Sequence, residues 1–381
     1  MYETDFLQYW AIKTLWELIS IPSISCGEEK AVRYYEQALL EIGIETVRDG
    51  LNLIACSPYY NPAKPTILLN SHIDTVQPVN GWTYYPFGPK LVGERLYGLG
   101  SNDAGASLVS LAAAFAQLTS RPQPNNFIYL VTCQEEISGA GGMEYMSQRL
   151  PAVHFGLIGE PTMMQPATAE KGLMVIDCEV KGRSGHAARE EGDNALMKAL
   201  PMMHIINGFV FPKVSELVGA VKCTVTQVEA GTQHNVIPDV CRFVVDVRTN
   251  ECYTNEEIFD TLQKTFPKCE MKARSFLLNS SCIEHEHPFV RRAIRLGLKP
   301  YGSATVSDQS YLACPTLKMG VGDSARSHTA DEYVELREIC DGIELYGTIL
   351  DDLVLGQQDI FVSRFGNYYE EREEQEYALL G

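Results

Sequence analysis

The chain has 381 residues, of which 45% are hydrophobic and 21% are charged, a balance typical of a folded soluble protein with two domains. Its net charge of −18 argues against nucleic acid or an anionic membrane as a partner, because both attract basic surfaces. No apolar run approaches the length of a membrane span, and the acidic start Met1–Asp5 is unlike a secretory signal. The 11 scattered cysteines form no C-x-x-C pair, which favours reduced thiols and a cytoplasmic location.

The first part of the chain alternates helices with short apolar strands. The sequence periodicity predicts, in order, helices at 5–19 and 28–42, strands at 52–56 and 66–69, a Pro- and Gly-rich loop at 78–93, a helix at 106–118, and strands at 127–131 and 155–158. Such alternation indicates a mostly parallel α/β sheet with helices on both faces.

The pattern changes near Gly172. It predicts a strand at 173–180, a helix at 193–206, strands at 220–228 and 240–247, a helix at 255–266 and a strand at 270–276. Thr254 and Glu257 are typical of a capping box at the start of the second of these helices. The order β-α-β-β-α-β is that of the ferredoxin-like α+β fold. We therefore predict an inserted domain at 172–285 and an α/β domain made of residues 1–171 and 286–381.

The α/β pattern returns after the insertion. A helix is predicted at 289–298, a short strand at 316–320 and a final helix at 336–353. Residues 357–381 are polar and acidic, compatible with a solvated extension or a short helix, and we assign them no function.

Histidine and acidic side chains follow three of the apolar strands. In an open α/β sheet the carboxyl ends of the strands form the edge where ligands bind. The side chains that follow these strands, or that lie in nearby polar loops, are His72, Asp74, Asp103, Glu135, Glu136, Glu160 and His328. Their common position predicts a metal site, and therefore an enzyme.

Each of these residues alone has an ordinary explanation. A histidine after a strand is more often a capped loop residue than a ligand, two adjacent glutamates are usually a solvated turn, and Asp103 could be a helix N-cap. As a set they suit a pair of metal ions, because zinc accepts histidine nitrogen and carboxylate oxygen and one carboxylate can bridge two ions. One glutamate is then left to carry a proton as base and acid.

Several stretches match one enzyme family in its own order along residues 5–355. They are Ser71–Asp74, Gly98–Asp103, Glu135-Glu136, Gly159–Thr162, Gly185–Ala187, His234–Pro238, Asp246–Arg248 and Ser327–Tyr333. On these motifs the chain resembles the M20 (aminoacylase/carboxypeptidase) metallohydrolases, especially the branch of acetylornithine deacetylase and succinyl-diaminopimelate desuccinylase.

The resemblance implies two divalent metal ions, zinc with cobalt as the alternative. One would be held by a first ligand set of His72, Asp103 and Glu160, and the other by a second ligand set of Asp103, Glu136 and His328. Asp103 would thus bridge the ions. Glu135 would be the general base, and Asp74 would orient the ring of His72.

The resemblance also implies that the inserted domain is a lid and the dimerisation domain of a homodimer. His186 would reach the active site of the partner subunit and steady the oxyanion of the tetrahedral intermediate. Asn235 and Arg248 correspond to lid positions that bind the substrate carboxylate.

The chain departs from many relatives beside these motifs. Ala104-Gly105-Ala106 stands where Met-Lys-Gly is common, Leu99 where arginine is usual, and Arg189–Glu191 where a proline occurs. None of these changes removes a ligand or the base, but they weaken any transfer of substrate identity. Ser307-Asp308-Gln309 is a further candidate for the lining of the substrate pocket.

The resulting hypothesis is a two-metal amidohydrolase that removes the acyl group from an N-acyl amino acid. N2-acetylornithine, on the route to arginine, is the leading substrate. The alternatives are N-acetylcitrulline, N-succinylornithine and N-succinylcitrulline, or the dipeptides of an M20-type dipeptidase. A non-catalytic metal-binding protein is disfavoured, because Glu135 and His186 are both present.

Overall fold

The computed structural model describes residues 3–189 and 191–356, so the acidic segment 357–381 lies outside the described residues. The chain divides into two compact units. The first unit contains the chain up to Thr168, Ile283–Tyr301 and the chain from Ser307 onward. The second unit contains Ala169–Cys282 and, in addition, the short segment Gly302–Val306, which the sequence had assigned to the α/β domain.

The elements follow the predicted alternation. The strands are β1 (Val47–Asp49), β2 (Asn52–Cys56), β3 (Thr66–His72), β4 (Lys90–Val92), β5 (Arg95–Tyr97), β6 (Asn126–Thr132), β7 (Phe155–Ile158), β8 (Ala167–Glu170), β9 (Gly172–Lys181), β10 (Lys222–Ala230), β11 (Val240–Thr249), β12 (Glu270–Ala273), β13 (Ser281–Cys282), β14 (Tyr301–Ser303), β15 (Thr316–Lys318) and β16 (Tyr333–Glu335). The helices are α1 (Thr4–Ile19), α2 (Glu29–Glu41), α3 (Ala106–Leu118), α4 (Met143–Ser147), α5 (Ala195–Asn207), α6 (Asn255–Thr265), α7 (Pro288–Arg295) and α8 (Leu336–Leu350).

The main sheet of the first unit has the order β1-β2-β6-β3-β7-β15-β8. Its centre, β6-β3-β7-β15, is parallel, whereas β2 and β8 run antiparallel to their neighbours at either side. Every residue of β3, β6 and β7 is buried, as expected for strands covered on both faces. The predicted mostly parallel α/β sheet is confirmed.

Two apolar layers cover the two faces of this sheet. On one face, α1, α2, α3 and α8 pack into the main core with Leu69, Tyr129 and Leu157 from the strands. Almost every residue of α3 is buried, because this Ala-rich helix is apolar all round. On the other face, Leu68 and Leu130 form a smaller core with Met143 and Met146 of α4.

The second unit is an antiparallel sheet of order β10-β11-β9-β12. Numbered along the chain this order is 2-3-1-4, the arrangement of the ferredoxin-like fold, as predicted. Burial alternates strictly along β9, so that Met174, Ile176, Cys178 and Val180 face the core of the unit. The predicted capping box begins α6, with hydrogen bonds in both directions between Thr254 and Glu257.

Part of the predicted loop 78–93 is structured. β4 and β5 form a three-stranded antiparallel sheet with β16, in which Leu96 pairs with Val334. This pairing joins residues more than two hundred positions apart, and no local sequence pattern could indicate it. In the part of the chain that the structure describes, no helix is both long and apolar enough to cross a membrane.

The capping box gives a test of the second unit. Replacing Thr254 with alanine removes the side-chain acceptor for the N–H of Glu257, 3.2 Å away, and should reduce the local stability of α6 by about 1 kcal/mol. Hydrogen exchange of the α6 amides measures the loss. The matched control is Thr261→Ala, an exposed position in the middle of α6, which should leave exchange nearly unchanged. Equal exchange in the two variants would contradict the prediction.

Candidate metal centre

Parallel pairing brings three strand ends of the first unit together. β3 and β6 are in register up to His72 and Thr132, and Asn70 pairs with Ile158 of β7. His72 is the last residue of β3, Glu135 lies three residues beyond β6, and Glu160 lies two residues beyond β7. The side chains that were predicted to meet because each follows a strand therefore do share one edge of the sheet.

Asp103 lies between two histidines, with one carboxylate oxygen toward each. Its Oδ1 is 3.3 Å from Nε2 of His72, and its Oδ2 is 3.5 Å from Nε2 of His328. On the His72 side, Oε1 of Glu160 is 3.7 Å from the same nitrogen. On the other side, Oε2 of Glu136 is 2.9 Å from Nε2 of His328. The first and second ligand sets thus form two adjacent clusters around Asp103.

The spacing of these atoms suits bound cations. Two donor atoms that share one tetrahedral ion, each about 2.0–2.1 Å from it, lie about 3.3 Å apart. Nε2 of His72 is buried and has no hydrogen-bond partner, although two carboxylates lie beside it. Glu135 also offers an oxygen within 4.8 Å of the ligand atoms of His72 and Glu160. The residues therefore fit a metal ion, and their individual ligand roles stay a prediction.

Asp74 does more than the sequence suggested. Its backbone carbonyl, 3.0 Å from Nδ1 of His72, is the acceptor that fixes the ring, whereas its carboxylate is 3.5 Å away. That carboxylate instead accepts hydrogen bonds from the hydroxyl of Ser25 and from the backbone N–H groups of Glu135 and Glu136, at 2.6, 3.0 and 3.2 Å. Although burial opposes its charge, His72 and these donors lower the pKa of Asp74. Asp74 therefore orients His72 and the Glu135-Glu136 turn together.

Glu332 is a structural residue of the site, and sequence reasoning assigned it no role. It lies in the Ser327–Tyr333 motif, and its buried carboxylate accepts the N–H groups of Gly100, Asn102 and Asp103 at 3.2, 2.8 and 2.9 Å. These bonds hold the turn that presents Asp103. The N-cap explanation for Asp103 is wrong, because α3 begins at Ala106 with Gly105 at its N-cap and without a side-chain cap.

The carboxylates of the site repel one another. Burial raises the pKa of Glu160 to about 8 and that of Glu135 well above its usual range, and neighbouring acids add to both shifts. Burial also raises the pKa of Glu136, whose hydrogen bond in turn raises the pKa of His328 to about 9. Positive charge at this place would relieve the repulsion, as a bound divalent cation does.

The three predicted lid residues lie in the second unit. His186 is exposed, its backbone pairs with Val236, and its Nδ1 accepts the N–H of Ala188 at 3.1 Å. Asn235 is adjacent, since its carbonyl accepts the N–H of Ala187 at 3.0 Å. Arg248 makes a bidentate ion pair with Asp246, at 2.9 and 3.1 Å. The structure thus brings His186 and Asn235 together, and the roles of all three residues stay predictions.

The other candidate for the pocket lining, Ser307-Asp308-Gln309, is buried in the first unit. Oδ2 of Asp308 accepts the hydroxyl of Thr132, the last residue of β6, at 2.6 Å. The charge of Asp308 also contributes to the raised pKa of Glu135. This segment therefore supports the turn that carries Glu135.

Comparison with known proteins identifies the family. The profile of "Peptidase family M20/M25/M40" matches residues 68–352, and the chain belongs to this family. An acetylornithine deacetylase of Proteus mirabilis is 25% identical, over 90% of this chain and 96% of its own length. A succinyl-diaminopimelate desuccinylase of Rhizorhabdus wittichii is 27% identical, over 87% and 95%.

Solved structures show the same fold. The aminopeptidase PepT of Bacillus cereus superposes with a TM-score of 0.73 at 20% identity, covering 91% of this chain and 98% of its own. The YXEP protein of Bacillus subtilis, a dinuclear metal-binding peptidase of the M20 family, gives 0.69 at 17% identity, covering 91% and 98%. Family, fold and candidate metal site together define this protein as a metal-dependent amidohydrolase.

The raised pKa values predict pH-dependent metal binding. His328, with a pKa of about 9, and Glu160, with a pKa of about 8, hold protons near neutrality that an incoming cation must displace. The affinity of the metal-free protein for Co²⁺ should therefore rise by about tenfold or more per pH unit between about pH 6.5 and 7.5. Calorimetry in buffers of different ionisation enthalpy measures the affinity and counts the protons released. A constant affinity without proton release would contradict the prediction.

Proposed function

We propose that this protein is a two-metal deacylase of N-acyl amino acids. N2-acetylornithine, hydrolysed to ornithine and acetate in cytoplasmic arginine biosynthesis, is the leading substrate. The observation that carries the proposal is the placement of Glu135 within 4.8 Å of His72 and Glu160, beside two ligand sets that share Asp103. The acetylornithine deacetylase relative, which is matched along nearly its whole length, supports the choice of substrate.

In the proposed mechanism, the two ligand sets would hold two Zn²⁺ ions, or Co²⁺ ions in their place, which would supply Lewis acidity toward the amide carbonyl and the attacking water. Glu135 takes the proton of that water and returns it to the leaving amine. Burial and the neighbouring carboxylate of Glu160 raise the pKa of Glu135, which favours its uptake of that proton. Asp74 accepts hydrogen bonds from both the ring of His72 and the backbone N–H of Glu135, and it thereby positions Glu135 relative to His72.

The second unit would supply the remaining groups. His186, on an exposed loop, would donate a hydrogen bond to the developing oxyanion in the partner subunit of a homodimer. The neighbouring Asn235, together with Arg248, would bind the substrate carboxylate. Asp246 already neutralises much of the charge of Arg248, which favours a supporting role for Arg248 over direct capture of the substrate.

A succinyl group is the second candidate for the acyl chain. Relatives named succinyl-diaminopimelate desuccinylase match at 22–27% identity over most of this chain. N-succinylornithine and N-succinylcitrulline are therefore tested beside N2-acetylornithine and N-acetylcitrulline. Dipeptides test the remaining alternative of an M20-type dipeptidase.

A turnover assay with these substrates separates the hypotheses. We expect N2-acetylornithine to give the highest kcat/KM and dipeptides to give none. The assay uses full-length protein loaded with Zn²⁺ or Co²⁺ and follows release of the free amine. Preference for a succinyl substrate would change the acyl assignment and keep the deacylase reaction. Cleavage of dipeptides alone would overturn the proposal.

The role of Glu135 is tested by Glu135→Ala. Because Glu135 belongs to neither ligand set, this variant should retain both metal ions and lose at least about a thousandfold in kcat, the contribution typical of a general base. Metal content is measured by elemental analysis and kcat with the best substrate of the panel. Glu94→Ala, which changes an exposed glutamate of the same unit, is the control. Near-normal turnover by Glu135→Ala would show that another group is the base.

A further inference from the structure

A buried acid lies beside the Glu135-Glu136 turn and belongs to neither ligand set. Glu28 directly precedes α2 and is fully buried. Burial raises the pKa of its carboxyl group, although nearby backbone N–H groups oppose the shift. A carboxyl group in such a place is costly unless hydrogen bonds offset the loss of water. The buried position of Glu28 therefore needs an explanation.

Capping of its own helix does not explain Glu28. It is the N-cap residue of α2, a position from which a side-chain oxygen often accepts an N–H of the first helical turn, but its side chain makes no such hydrogen bond. Its Oε1 instead accepts the backbone N–H of Gln134 at 3.1 Å, from a position 106 residues further along the chain. Glu28 therefore connects the start of α2 to the turn that carries Glu135.

Gln134 is the residue around which this turn is folded. Its φ of 58° is a left-handed conformation that residues other than glycine adopt only when the surrounding structure holds them. Its carbonyl accepts the N–H of Gly139 at 2.8 Å, and its side-chain Oε1 accepts the N–H of Gly141 at 3.2 Å. Because Glu28 holds the N–H of the same residue, a change at Glu28 acts immediately before Glu135.

Glu28 and Asp74 share three consecutive N–H groups of the turn. Asp74 accepts those of Glu135 and Glu136, at 3.0 and 3.2 Å, and Glu28 accepts the one before them. Loss of Glu28 alone would leave both contacts of Asp74 in place and release the turn at its start, next to Glu135. Glu136 lies further along, and its Oε2 is also 2.9 Å from Nε2 of His328. The base should therefore be displaced more than the ligand.

We propose that Glu28 is a positioning residue for the general base. By holding the N–H of Gln134 it fixes the start of the turn, so that the carboxylate of Glu135 keeps the position that proton transfer requires. This inference rests on the proposed function, in which Glu135 is the base, and deepens it. The contribution of Glu28 is an acceptor oxygen at the right distance, and its charge is secondary.

Three substitutions separate the reach of Glu28 from its charge. Glu28→Ala removes the acceptor and should lower kcat by about tenfold to a hundredfold, the loss expected when a reacting group is displaced by about 1 Å. Glu28→Asp keeps the charge but is one methylene shorter, so it should lower kcat to a similar extent. Glu28→Gln keeps a carbonyl oxygen at the same reach and should retain kcat within about threefold.

Steady-state kinetics of the full-length protein loaded with Zn²⁺, with the best substrate of the panel, measure these effects. KM and the metal content, determined by elemental analysis, should stay unchanged in all three variants, because both ligand sets are intact. A residue that only stabilised the fold would not produce this selective loss of kcat or its rescue by glutamine.

A double-mutant cycle tests whether Glu28 acts through Glu135. In the Glu135→Ala background, Glu28→Ala should lower kcat by less than about twofold, because the group that it positions is already absent. The matched control is Asn125→Ala. Asn125 is buried just before β6, at the end of that strand opposite the site, and its side chain donates a hydrogen bond to the carbonyl of Leu353 at 2.6 Å. This variant also loses a buried hydrogen bond and should keep kcat.

Three results would overturn the inference while the proposed function stands. They are normal kcat in Glu28→Ala, a loss in Glu28→Gln as large as that in Glu28→Ala, and a full additional loss in the double variant. Circular dichroism checks that every variant is folded, and should Glu28→Ala fail to fold, the comparison of Glu28→Asp with Glu28→Gln decides.

Failure of the proposed function has a different signature. Wild-type protein without turnover, or Glu135→Ala with near-normal turnover, would refute that function and the inference with it. Neither measurement involves a change at Glu28, so the two failures are distinguished.

Discussion

The structure depends on keeping several carboxylates close together at one buried edge of a sheet. Asp103, Glu135, Glu136 and Glu160 converge on two histidines, and burial raises the pKa of three of these acids. Such an arrangement is unfavourable by itself, because like charges at these distances repel strongly where water is excluded. A bound cation would offset this repulsion. In agreement, the chain belongs to a family that includes a dinuclear metal-binding peptidase.

The surrounding structure resists this repulsion with backbone donors and close packing. Glu332 accepts hydrogen bonds from the N–H groups of Gly100, Asn102 and Asp103, and Asp74 accepts two in the Glu135-Glu136 turn. Gly320 lets β15 approach Glu160 more closely than any side chain would allow. Each of these contacts positions a residue of the site by holding its backbone, so the side chain of that residue remains available to a cation. Of the two acids among these groups, Asp74 has a lowered pKa and extends the negative charge beyond the ligands, whereas burial raises the pKa of Glu332 to about 8.

The sequence was sufficient to predict the parallel core, the inserted ferredoxin-like unit and the edge at which the candidate residues meet. These features follow from local periodicity and from the rule that parallel strands deliver their carboxyl ends to one edge. The pairing of β5 with β16 and the hydrogen bonds of Glu332 to the Asp103 turn were not predictable. They depend on which distant residues become neighbours, as Leu96 and Val334 do, and no local pattern records this. Asp74 was predicted to orient His72, and in the structure its backbone carbonyl rather than its carboxylate is the acceptor nearest the ring of His72.

The hydrogen bond from Ser25 to Asp74 connects the N-terminal region to the centre of the site. Nearby, Glu28 is fully buried, and its Oε1 accepts the N–H of Gln134, immediately before Glu135, at 3.1 Å. Both residues lie outside the range 68–352 that the family profile matches. A fragment trimmed to that range would contain every proposed ligand and the base, yet it would lack two of the contacts that hold the Glu135-Glu136 turn. The contacts that support the candidate site therefore extend beyond the region by which the family is recognised.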